Sequence, residues 1–447
     1  MKTPGTSQFC NMPDSEKSQR PFHVLTKPIG PICNLDCKYC FYLEKEVLYD
    51  EAGSKWQMSS EVLETYIRDY IQSNPGDEIA FAWQGGEPAL LGVDFYRRAF
   101  ALQKKYAEGR TVRNAFQTNG TLLNDEWCTF LRENEVLVGV SIDGPEQLHD
   151  SYRVNKKGGG TWKKVMAGIE LLQKHKVEFN TLACVNRNTA KKPLEIYRFL
   201  KSIGCTYLQF IPIVERQPDR ASRNLSLELA HPPDLDEESV DPEDDPRVTY
   251  WTVRQKDFGP FLCKIFDRWL EKDVGNTFVQ LFDVALGKWL GMPGGLCLFD
   301  ETCGRALAIE HNGDVYSCDH FVYPHYRLGN IMNKSLGEMV DTPGQARFAT
   351  NKRDRLPEYC RSCDVRFACN DECPKNRFAQ TPDGDPGLNY LCPGYKEFFR
   401  HIDPAMRIMT DLIRRGRVPS GIKAVLKADP GLLKRMRSTN RPIAGGR

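Results

Sequence analysis

Three closely spaced cysteines near the start of the chain have the clearest potential for chemistry. They form the pattern Cys33-x3-Cys37-x2-Cys40. Three thiolates can hold three irons of a cubane [4Fe–4S] cluster, whereas a fully ligated cluster uses four cysteines. The fourth iron could then be chelated by an amino group and a carboxylate of a small molecule, and an electron from the cluster could cleave a sulfonium C–S bond to give a carbon radical. Structural zinc sites usually have four ligands, and no obvious fourth ligand follows Cys40 closely. The spacing therefore favours a cluster with one iron left open.

A second, denser group of eight cysteines lies between Cys297 and Cys392. Eight thiols equal two complete sets of four, and full ligation suits clusters that carry electrons rather than bind substrate. Two zinc ions are the alternative, because a Cys-x2-Cys pair suits zinc, but among these eight cysteines only Cys360 and Cys363 form such a pair. The pattern therefore favours two [4Fe–4S] clusters, although spacing alone does not sort the eight ligands between them.

Composition excludes several functional classes. The chain has 61 basic and 59 acidic side chains, a balance that argues against a mainly nucleic-acid-binding protein. No run approaches the roughly 18–20 apolar residues of a membrane span, and the first 20 residues lack the apolar core of a signal peptide. We therefore expect a cytoplasmic location, where clustered cysteines are more often metal ligands than disulfides.

The region around the first cysteine group alternates between strand-like and helical patterns, which implies parallel strands joined by right-handed crossovers. Six strands followed by helices predict an α/β fold, a partial (β/α)6 barrel of parallel strands. The predicted strands are His23–Pro28, Ile79–Trp83, Ala115–Thr118, Leu137–Ile142, Phe179–Val185 and Tyr207–Ile213.

Polar, glycine-containing segments follow the second, third and fourth predicted strands. They are Gln84–Pro88, Gln117–Gly120 and Ser141–Pro145. Each one alone could be a simple turn. Because the carboxyl ends of parallel strands meet at one edge and gather binding residues there, we expect a shared binding site.

Five regions are predicted along the chain. Residues 1–21 form an N-terminal extension, 22–250 the partial barrel, 251–296 a bridging helical segment, 297–399 the cysteine-rich domain and 400–447 a C-terminal helix with a basic tail. The eight acids within 234–245 predict a solvated surface insertion, and residues 414–447 predict a partly disordered tail.

The first cysteine segment carries a family resemblance. The stretch Cys33-Asn-Leu-Asp-Cys37-Lys-Tyr39-Cys40-Phe-Tyr42 resembles the signature of the radical S-adenosylmethionine superfamily. That resemblance implies that the open iron binds S-adenosylmethionine and that its cleavage gives a 5′-deoxyadenosyl radical.

The same resemblance implies contacts to S-adenosylmethionine. Gly85 matches the turn that binds its amino group, where a backbone without a side chain permits close approach. Ser141 and Arg153 match positions that bind its ribose and carboxylate, and the arginine fork suits a carboxylate. Val214 matches a position that contacts the adenosine part, and Tyr39, between two cluster ligands, can also touch the cofactor.

The second cysteine group resembles the SPASM domain, the auxiliary-cluster extension of peptide-modifying radical enzymes. The resemblance implies an interleaved ligand assignment. The cluster nearer the barrel would take Cys297, Cys303, Cys318 and Cys373, and the distal cluster would take Cys360, Cys363, Cys369 and Cys392.

Motifs outside the cysteines narrow the resemblance to the anaerobic sulfatase-maturating enzymes. These motifs include Phe81–Pro88, Gln117–Thr121, Ser141–Pro145, Leu208–Ile211, Tyr316–Asp319 and Asn389–Cys392. The resemblance implies oxidation of a sulfatase cysteine or serine to Cα-formylglycine after removal of a Cβ hydrogen. It also implies an unfolded or peptide segment of a sulfatase as substrate, and a flavodoxin or ferredoxin as electron donor.

Asp319 is the candidate base for this reaction. It directly follows Cys318 and matches the family's catalytic aspartate, and a carboxylate within hydrogen-bond reach can accept the substrate proton. The alternative is an aspartate that caps a turn. Asp283 is a weaker candidate, and Tyr42 is a candidate for positioning the substrate.

Two other functions stay open on sequence alone. A related SPASM enzyme could form thioether or carbon–carbon crosslinks in a ribosomal peptide, although residues 1–21 are too short for the peptide-docking domain such enzymes often carry. A non-catalytic zinc scaffold is the remote alternative, and it predicts zinc without iron.

Overall fold

The computed structural model describes residues 17–49, 56–233, 248–293 and 295–438. The predicted acidic insertion at 234–245 lies outside these ranges. Within them, no helix is both long enough and apolar enough to cross a bilayer.

One ten-stranded sheet runs through the described part of the chain, in the order β10-β9-β8-β1-β2-β3-β4-β5-β6-β7. From β8 through β1 to β7, each strand in this order is parallel to the next. Strand β9 pairs antiparallel with both β8 and β10. The strands are β1 (His23–Lys27), β2 (Glu78–Trp83), β3 (Thr111–Thr118), β4 (Leu137–Ser141), β5 (Phe179–Val185), β6 (Tyr207–Pro212), β7 (Phe278–Val279), β8 (Ala306–Glu310), β9 (Asp314–Tyr316) and β10 (Arg327–Asn330).

Helices cover the sheet and extend beyond it. They are α1 (Ser60–Ser73), α2 (Val93–Tyr106), α3 (Asp125–Glu133), α4 (Glu146–His149), α5 (Trp162–Lys174), α6 (Pro193–Ser202), α7 (Arg220–Asn224), α8 (Gln255–Lys272), α9 (Gln280–Trp289), α10 (Leu336–Val340), α11 (Pro343–Asp354), α12 (Glu358–Arg361), α13 (Arg366–Cys369), α14 (Cys392–Arg414), α15 (Ile422–Ala428) and α16 (Leu432–Ser438).

The predicted parallel partial barrel is confirmed, with all six predicted strands present. The sheet also contains a connection that the sequence pattern did not predict. Strand β8, from the cysteine-rich region, pairs parallel with β1 from His23↔Ala306 to Lys27↔Glu310. The two cysteine-bearing regions therefore share one sheet.

Strand β1 forms because its residues suit a strand covered on both faces. Val24 and Thr26 have no exposed surface, which is typical of parallel strands in α/β proteins. The Thr26 hydroxyl lies 2.6 Å from the Tyr66 hydroxyl of α1. Helix α1 begins where the Ser59 side chain accepts a hydrogen bond from Val62 N. These contacts fix the strand that leads into the first cysteine group.

The C-terminal region is more ordered than the sequence predicts. Helix α14 packs against α8, the predicted bridging helix, with the Phe258 and Tyr395 rings 5.2 Å apart. Helices α15 and α16 then occupy part of the segment expected to be a disordered tail. Ile422 on α15 is fully buried, so an apolar anchor outweighs the basic composition there.

Candidate active site

Cys33, Cys37 and Cys40 lie in the loop after β1, at the carboxyl edge of the parallel strands. Burial raises the pKa of the Cys33 thiol to about 11, and the Cys40 thiol adds to this rise. Burial also raises the pKa of Cys37, where both other thiols contribute. The three sulfurs therefore lie near one another in a poorly solvated site. Such thiols become thiolate ligands when cations neutralise them, so this donor set fits an iron–sulfur cluster.

A cavity of about 1030 Å³ opens beside this loop. Cys37 and Cys40 line one part of it, and the aromatic residues Tyr49, Tyr250 and Trp251 line another. Ligand pockets commonly have volumes of about 300–1,000 Å³. The cavity therefore has room for a nucleoside-sized molecule next to part of a peptide.

The glycine-rich turn after β2 packs directly against the cysteine loop. Gly86 N donates to Gly30 O at 2.8 Å, and Glu87 N donates to Ile32 O at 2.9 Å. A Cβ on Gly86 would lie only 1.9 Å from Ile32 O, so no larger residue fits there. Gly85 has a φ of 129°, which favours glycine. The turn thus holds the segment just before Cys33 by backbone contacts.

Glu87 connects this turn to the end of β3. Its fully buried carboxylate accepts hydrogen bonds from the Thr118 hydroxyl at 2.7 Å, Asn119 N at 2.7 Å and Ala89 N at 3.0 Å. Burial raises its pKa to about 7. The Asn119 side chain in turn donates to Asn34 Oδ1 at 2.8 Å. Glu87 therefore aligns two strand ends with the cysteine loop.

Asp143, after β4, organises the opposite side of the loop. Its carboxylate accepts from the Tyr39 hydroxyl at 2.5 Å, Arg153 Nε at 3.0 Å and Cys184 N at 2.9 Å. Arg153, predicted to bind the S-adenosylmethionine carboxylate, is only 7% exposed and donates through Nη2 to Cys184 Sγ at 3.4 Å. Both Arg153 and the predicted cofactor contact Tyr39 are thus ion-paired or hydrogen-bonded to Asp143.

The two remaining predicted cofactor contacts lie at the ends of β4 and β6, on either side of β5. Ser141 is the last residue of β4, and its hydroxyl accepts from Gln117 Nε2 at 3.0 Å. Val214 is buried just after β6. Its carbonyl accepts from Lys375 Nζ at 3.1 Å, and the same ammonium contacts Glu215 Oε1 at 2.5 Å. Lys375 therefore ties the barrel edge to the cysteine-rich domain.

The structure gathers the eight later cysteines into two groups. One group lines a single small cavity. Burial first, and then Asp371 and neighbouring thiols, raise the pKa values of three of its members, Cys360, Cys369 and Cys392. Its members are Cys360, Cys363, Cys369 and Cys392.

The other group lies nearer to Asp319. Burial, and then Cys297 and Cys373, raise the pKa of Cys318. Burial raises the pKa of Cys303 to about 11, with Cys297 contributing. These are the same two sets that the family resemblance implies. We call them the proximal set (Cys297, Cys303, Cys318 and Cys373) and the distal set (Cys360, Cys363, Cys369 and Cys392).

A left-handed turn separates the ligands of the two sets. Asn370, Asp371 and Glu372 have φ values of 45°, 54° and 44°, a conformation that costs about 1–2 kcal/mol per non-glycine residue. The buried Arg377 stabilises it by donating to the carbonyls of Asn370 at 2.9 Å and Asp371 at 3.2 Å. The turn lets Cys369 face the distal set while Cys373 faces the proximal one.

A single zinc ion would need ligand atoms about 2.0–2.3 Å from one point. In the described part of the chain, no three His, Cys, Asp or Glu side chains are grouped closely enough to hold a single metal ion.

Asp319 lies between the first cysteine loop and the proximal set. Lys27, the last residue of β1, approaches its Oδ1 to 2.5 Å through Nζ. Burial alone would raise the pKa of Asp319, but Lys27 and then His320 outweigh burial and lower it. The carboxylate is therefore ionised at neutral pH and can accept a proton.

Tyr42 lies next to this ion pair. Lys27 Nζ is 3.6 Å from the centre of its ring, and its hydroxyl donates to the buried Glu310 of β8. The structure thus brings Tyr42 and Asp319 to the same ammonium. Asp283, the weaker candidate base, has an exposed side chain on α9.

Comparison with known proteins matches both cysteine-bearing regions. The radical SAM superfamily model matches residues 28–200, and a SPASM model described as an iron-sulfur cluster-binding domain matches residues 297–364. A serine-type anaerobic sulfatase-maturating enzyme from Bacteroides thetaiotaomicron is 49% identical over 91% of this chain and 96% of that protein. The chain belongs to the anaerobic sulfatase-maturating enzymes.

Other members of this sulfatase-maturating family are similar along most of their length. A cysteine-type enzyme from Clostridium perfringens is 34% identical over 86% of this chain and 97% of its own. A solved structure described as native anSMEcpe with bound AdoMet and Cp18Cys peptide is 32% identical and has a TM-score of 0.74. The match covers 88% of this chain and 99% of that one.

Family membership makes this chain a radical SAM enzyme that uses S-adenosylmethionine and iron–sulfur clusters. Several residues around the candidate site are not predicted by the sequence analysis. Lys27 had a usable signal, a lysine that ends an apolar strand just before the cysteine loop. The sequence pattern places Asp143 and Glu87 in turns and does not indicate that their carboxylates hold the cysteine loop. Glu310 had no usable signal, because its link to Tyr42 depends on the pairing of β8 with β1.

Proposed function

We propose that this enzyme oxidises a cysteine or serine in a sulfatase to Cα-formylglycine, with Asp319 as the base. The observation that carries the assignment of the base is the Asp319 carboxylate, held ionised by Lys27 next to the proximal cysteines. Membership of the sulfatase-maturating family supports the reaction itself.

The proposed binding residues are those that match the motifs of the family. Cys33, Cys37 and Cys40 would hold the first [4Fe–4S] cluster, and the proximal and distal sets would hold two more. When bound, the first cluster and S-adenosylmethionine supply the 5′-deoxyadenosyl radical that removes a Cβ hydrogen. The backbone at Gly85 would bind the methionine amino group.

The remaining cofactor contacts surround the same loop. Ser141 would bind the ribose, and Val214 would contact the adenosine part. Arg153 is fixed by Asp143 and would offer its remaining donors to the carboxylate. Tyr39, hydrogen-bonded to the same aspartate, would touch the cofactor from between two cluster ligands.

Asp319 completes the oxidation by taking the hydroxyl or thiol proton of the substrate. The substrate side chain would lose the hydrogen atom to the radical, the proton to Asp319, and one electron to the auxiliary clusters held by the proximal and distal sets. An aldehyde then remains from serine, or a thioaldehyde from cysteine. Hydrolysis of the thioaldehyde releases sulfide and gives the same aldehyde. Tyr42, next to Lys27, would position the substrate side chain.

The substrate would be an unfolded or peptide segment of a sulfatase. The cavity beside Cys37 and Cys40 is open to solvent at Tyr250, whose side chain is 58% exposed. A relative's structure contains a peptide described as Cp18Cys. A flavodoxin or ferredoxin would deliver the reducing electron. The many thiol ligands support a cytoplasmic location, where thiols stay reduced.

The target residue is proposed to be a serine or a cysteine. The relative at 49% identity is serine-type, while the cysteine-type relatives are 33–34% identical. Serine-type relatives from Klebsiella are only 36% identical, so identity by itself does not separate the two chemistries.

The test is turnover of two sulfatase-motif peptides that differ only in a target serine or cysteine. Anaerobically loaded enzyme should form 5′-deoxyadenosine and an aldehyde that a hydrazine reagent captures. The cysteine peptide should lose its sulfur, whereas a peptide with alanine at the target should stay unchanged. Retention of sulfur in an internal crosslink would instead indicate a crosslinking enzyme, and zinc without iron would indicate a scaffold.

A further inference from the structure

A fully buried lysine lies against the proximal set and has no part in the chemistry described above. Lys352, on α11, has no exposed surface. Its Nζ donates to the backbone carbonyls of Cys297 and, at 2.8 Å, of Leu298. Lysines are almost never fully buried without a compensating partner. Neutral carbonyls satisfy its hydrogen bonds, but they do not neutralise its charge.

The nearby groups that can carry negative charge when they bind a cluster are cysteine sulfurs. Cys303, Cys373 and Cys297 each interact electrostatically with Lys352. All three belong to the proximal set, whose assignment is part of the proposed function. As thiolates around a cluster, these three sulfurs would supply negative charge close to the buried ammonium.

Two other buried charged residues lie near the proximal set. Arg377 is 2% exposed, and its Nε lies 3.0 Å from Asp371 Oδ2. Glu372 also faces the proximal set, and its carboxylate accepts from the side-chain amides of Asn376 at 2.9 Å and Asn389 at 2.8 Å. Lys352 therefore opposes Glu372 at the proximal set, whereas Arg377 is neutralised by Asp371.

We propose that Lys352 tunes electron transfer, because its buried positive charge raises the midpoint potential of the proximal cluster. Cluster potentials depend on net charge, hydrogen bonds and solvent exposure. A fixed cation in a poorly solvated site stabilises the reduced, more negative cluster more than the oxidised one. The proximal cluster would thus accept the electron that leaves the substrate more readily than its thiolates alone would allow.

The test measures potentials without substrate. The full chain carrying Cys33→Ala, Cys37→Ala and Cys40→Ala is loaded with iron and sulfide, so that only the two auxiliary clusters form. Lys352→Gln keeps a hydrogen-bond donor without the charge, and Lys352→Met removes both. The matched control is Arg353→Gln, which removes a cation from the exposed face of the same helix, where Arg353 pairs with Asp354 at 2.7 Å.

Redox titration followed by electron paramagnetic resonance should show two auxiliary transitions. In both Lys352 variants, one transition should fall by at least tenfold in its reduction equilibrium constant, which is about 59 mV for one electron. The other transition and the Arg353→Gln protein should not move.

Three results would overturn the proposal. They are no shift beyond the control, equal shifts of both transitions, and loss of one cluster from both Lys352 variants while the control keeps it. The last result would assign Lys352 a purely structural role. Because neither S-adenosylmethionine nor peptide is present, failure here is separate from failure of formylglycine formation.

Discussion

Asp319 and Lys27 form the ion pair on which the proposed chemistry depends. The carboxylate comes from the cysteine-rich domain and the ammonium from the end of β1. Lys27 side-chain exposure is 2% and that of Asp319 is 23%. A buried ion pair that loses one partner leaves an uncompensated charge, and here Lys27 lowers the pKa of Asp319 and helps to keep its carboxylate ionised.

Removing the base should separate cofactor cleavage from substrate oxidation. In Asp319→Asn, 5′-deoxyadenosine should still form, because the first cysteine loop is unchanged. Peptide oxidation should fall by about 10²–10⁴-fold, the usual contribution of general acid–base catalysis. Chromatography for 5′-deoxyadenosine and mass spectrometry of the peptide measure both. Asp283→Asn, an exposed acid, is the control, and full formylglycine formation by Asp319→Asn would exclude it as the base.

Removing the ammonium should change the pH dependence. Lys27 lowers the pKa of Asp319, and burial acts in the opposite direction. In Lys27→Met the pKa of Asp319 should rise, so the base form is lost at a higher pH. The acid limb of kcat/KM for peptide oxidation should therefore move to higher pH. Lys27→Arg keeps the charge and should leave the limb near its original position, and an unchanged profile in Lys27→Met would argue against this coupling.

At the scale of elements, the loop after β1 and the turn after β2 act as one unit. Backbone hydrogen bonds join Gly86 to Gly30 and Glu87 to Ile32. The cysteine pattern and the glycine-rich turn were both evident in the sequence. Their close packing was not, because it depends on which two strands are neighbours in the sheet.

A methyl group at this contact should displace the cysteine loop. In Gly86→Ala the new Cβ would lie 1.9 Å from Ile32 O, a backbone atom that cannot rotate away. We expect the protein to lose about one third of its bound iron, that of the first cluster, as one of three similar clusters. Gly344→Ala, where nothing lies within 4 Å, is the control. Iron and sulfide assays measure the loss, and a full iron content with normal S-adenosylmethionine cleavage would contradict it.

At the scale of the whole molecule, the shared sheet is the main structural feature. Strand β8 covers the edge of β1 over five residue pairs. An exposed edge strand is a template for aggregation. The barrel therefore needs the cysteine-rich domain to cover the edge of β1 as well as to hold clusters.

A chain that ends at residue 296 should therefore aggregate. It would expose the edge of β1 and leave the buried Lys27 without Asp319, and losing one partner of a buried pair costs about 3–5 kcal/mol. The control is the full chain with all eight later cysteines changed to alanine, which keeps β8 while removing the auxiliary ligands. Size-exclusion chromatography of both would measure the effect. A monomeric, folded truncated chain would show that the shared sheet is dispensable.

Sequence by itself determined the strand–helix alternation, the three-cysteine loop and the family. These features are local, since periodicity, glycine turns and ligand spacing are all read within short segments. The number of later cysteines, eight, also predicted two clusters, but the division of these cysteines into two sets came from the family resemblance.

Only the tertiary structure decided which residues from distant segments of the chain come into contact. The pairing of β8 with β1 brings Asp319 to Lys27 and Glu310 to Tyr42, and the folding of α11 places Lys352 against the proximal cysteines. Such contacts join residues that have no mutual spacing pattern. Their energy depends on burial and on the charges that share the buried space, which a linear pattern does not encode.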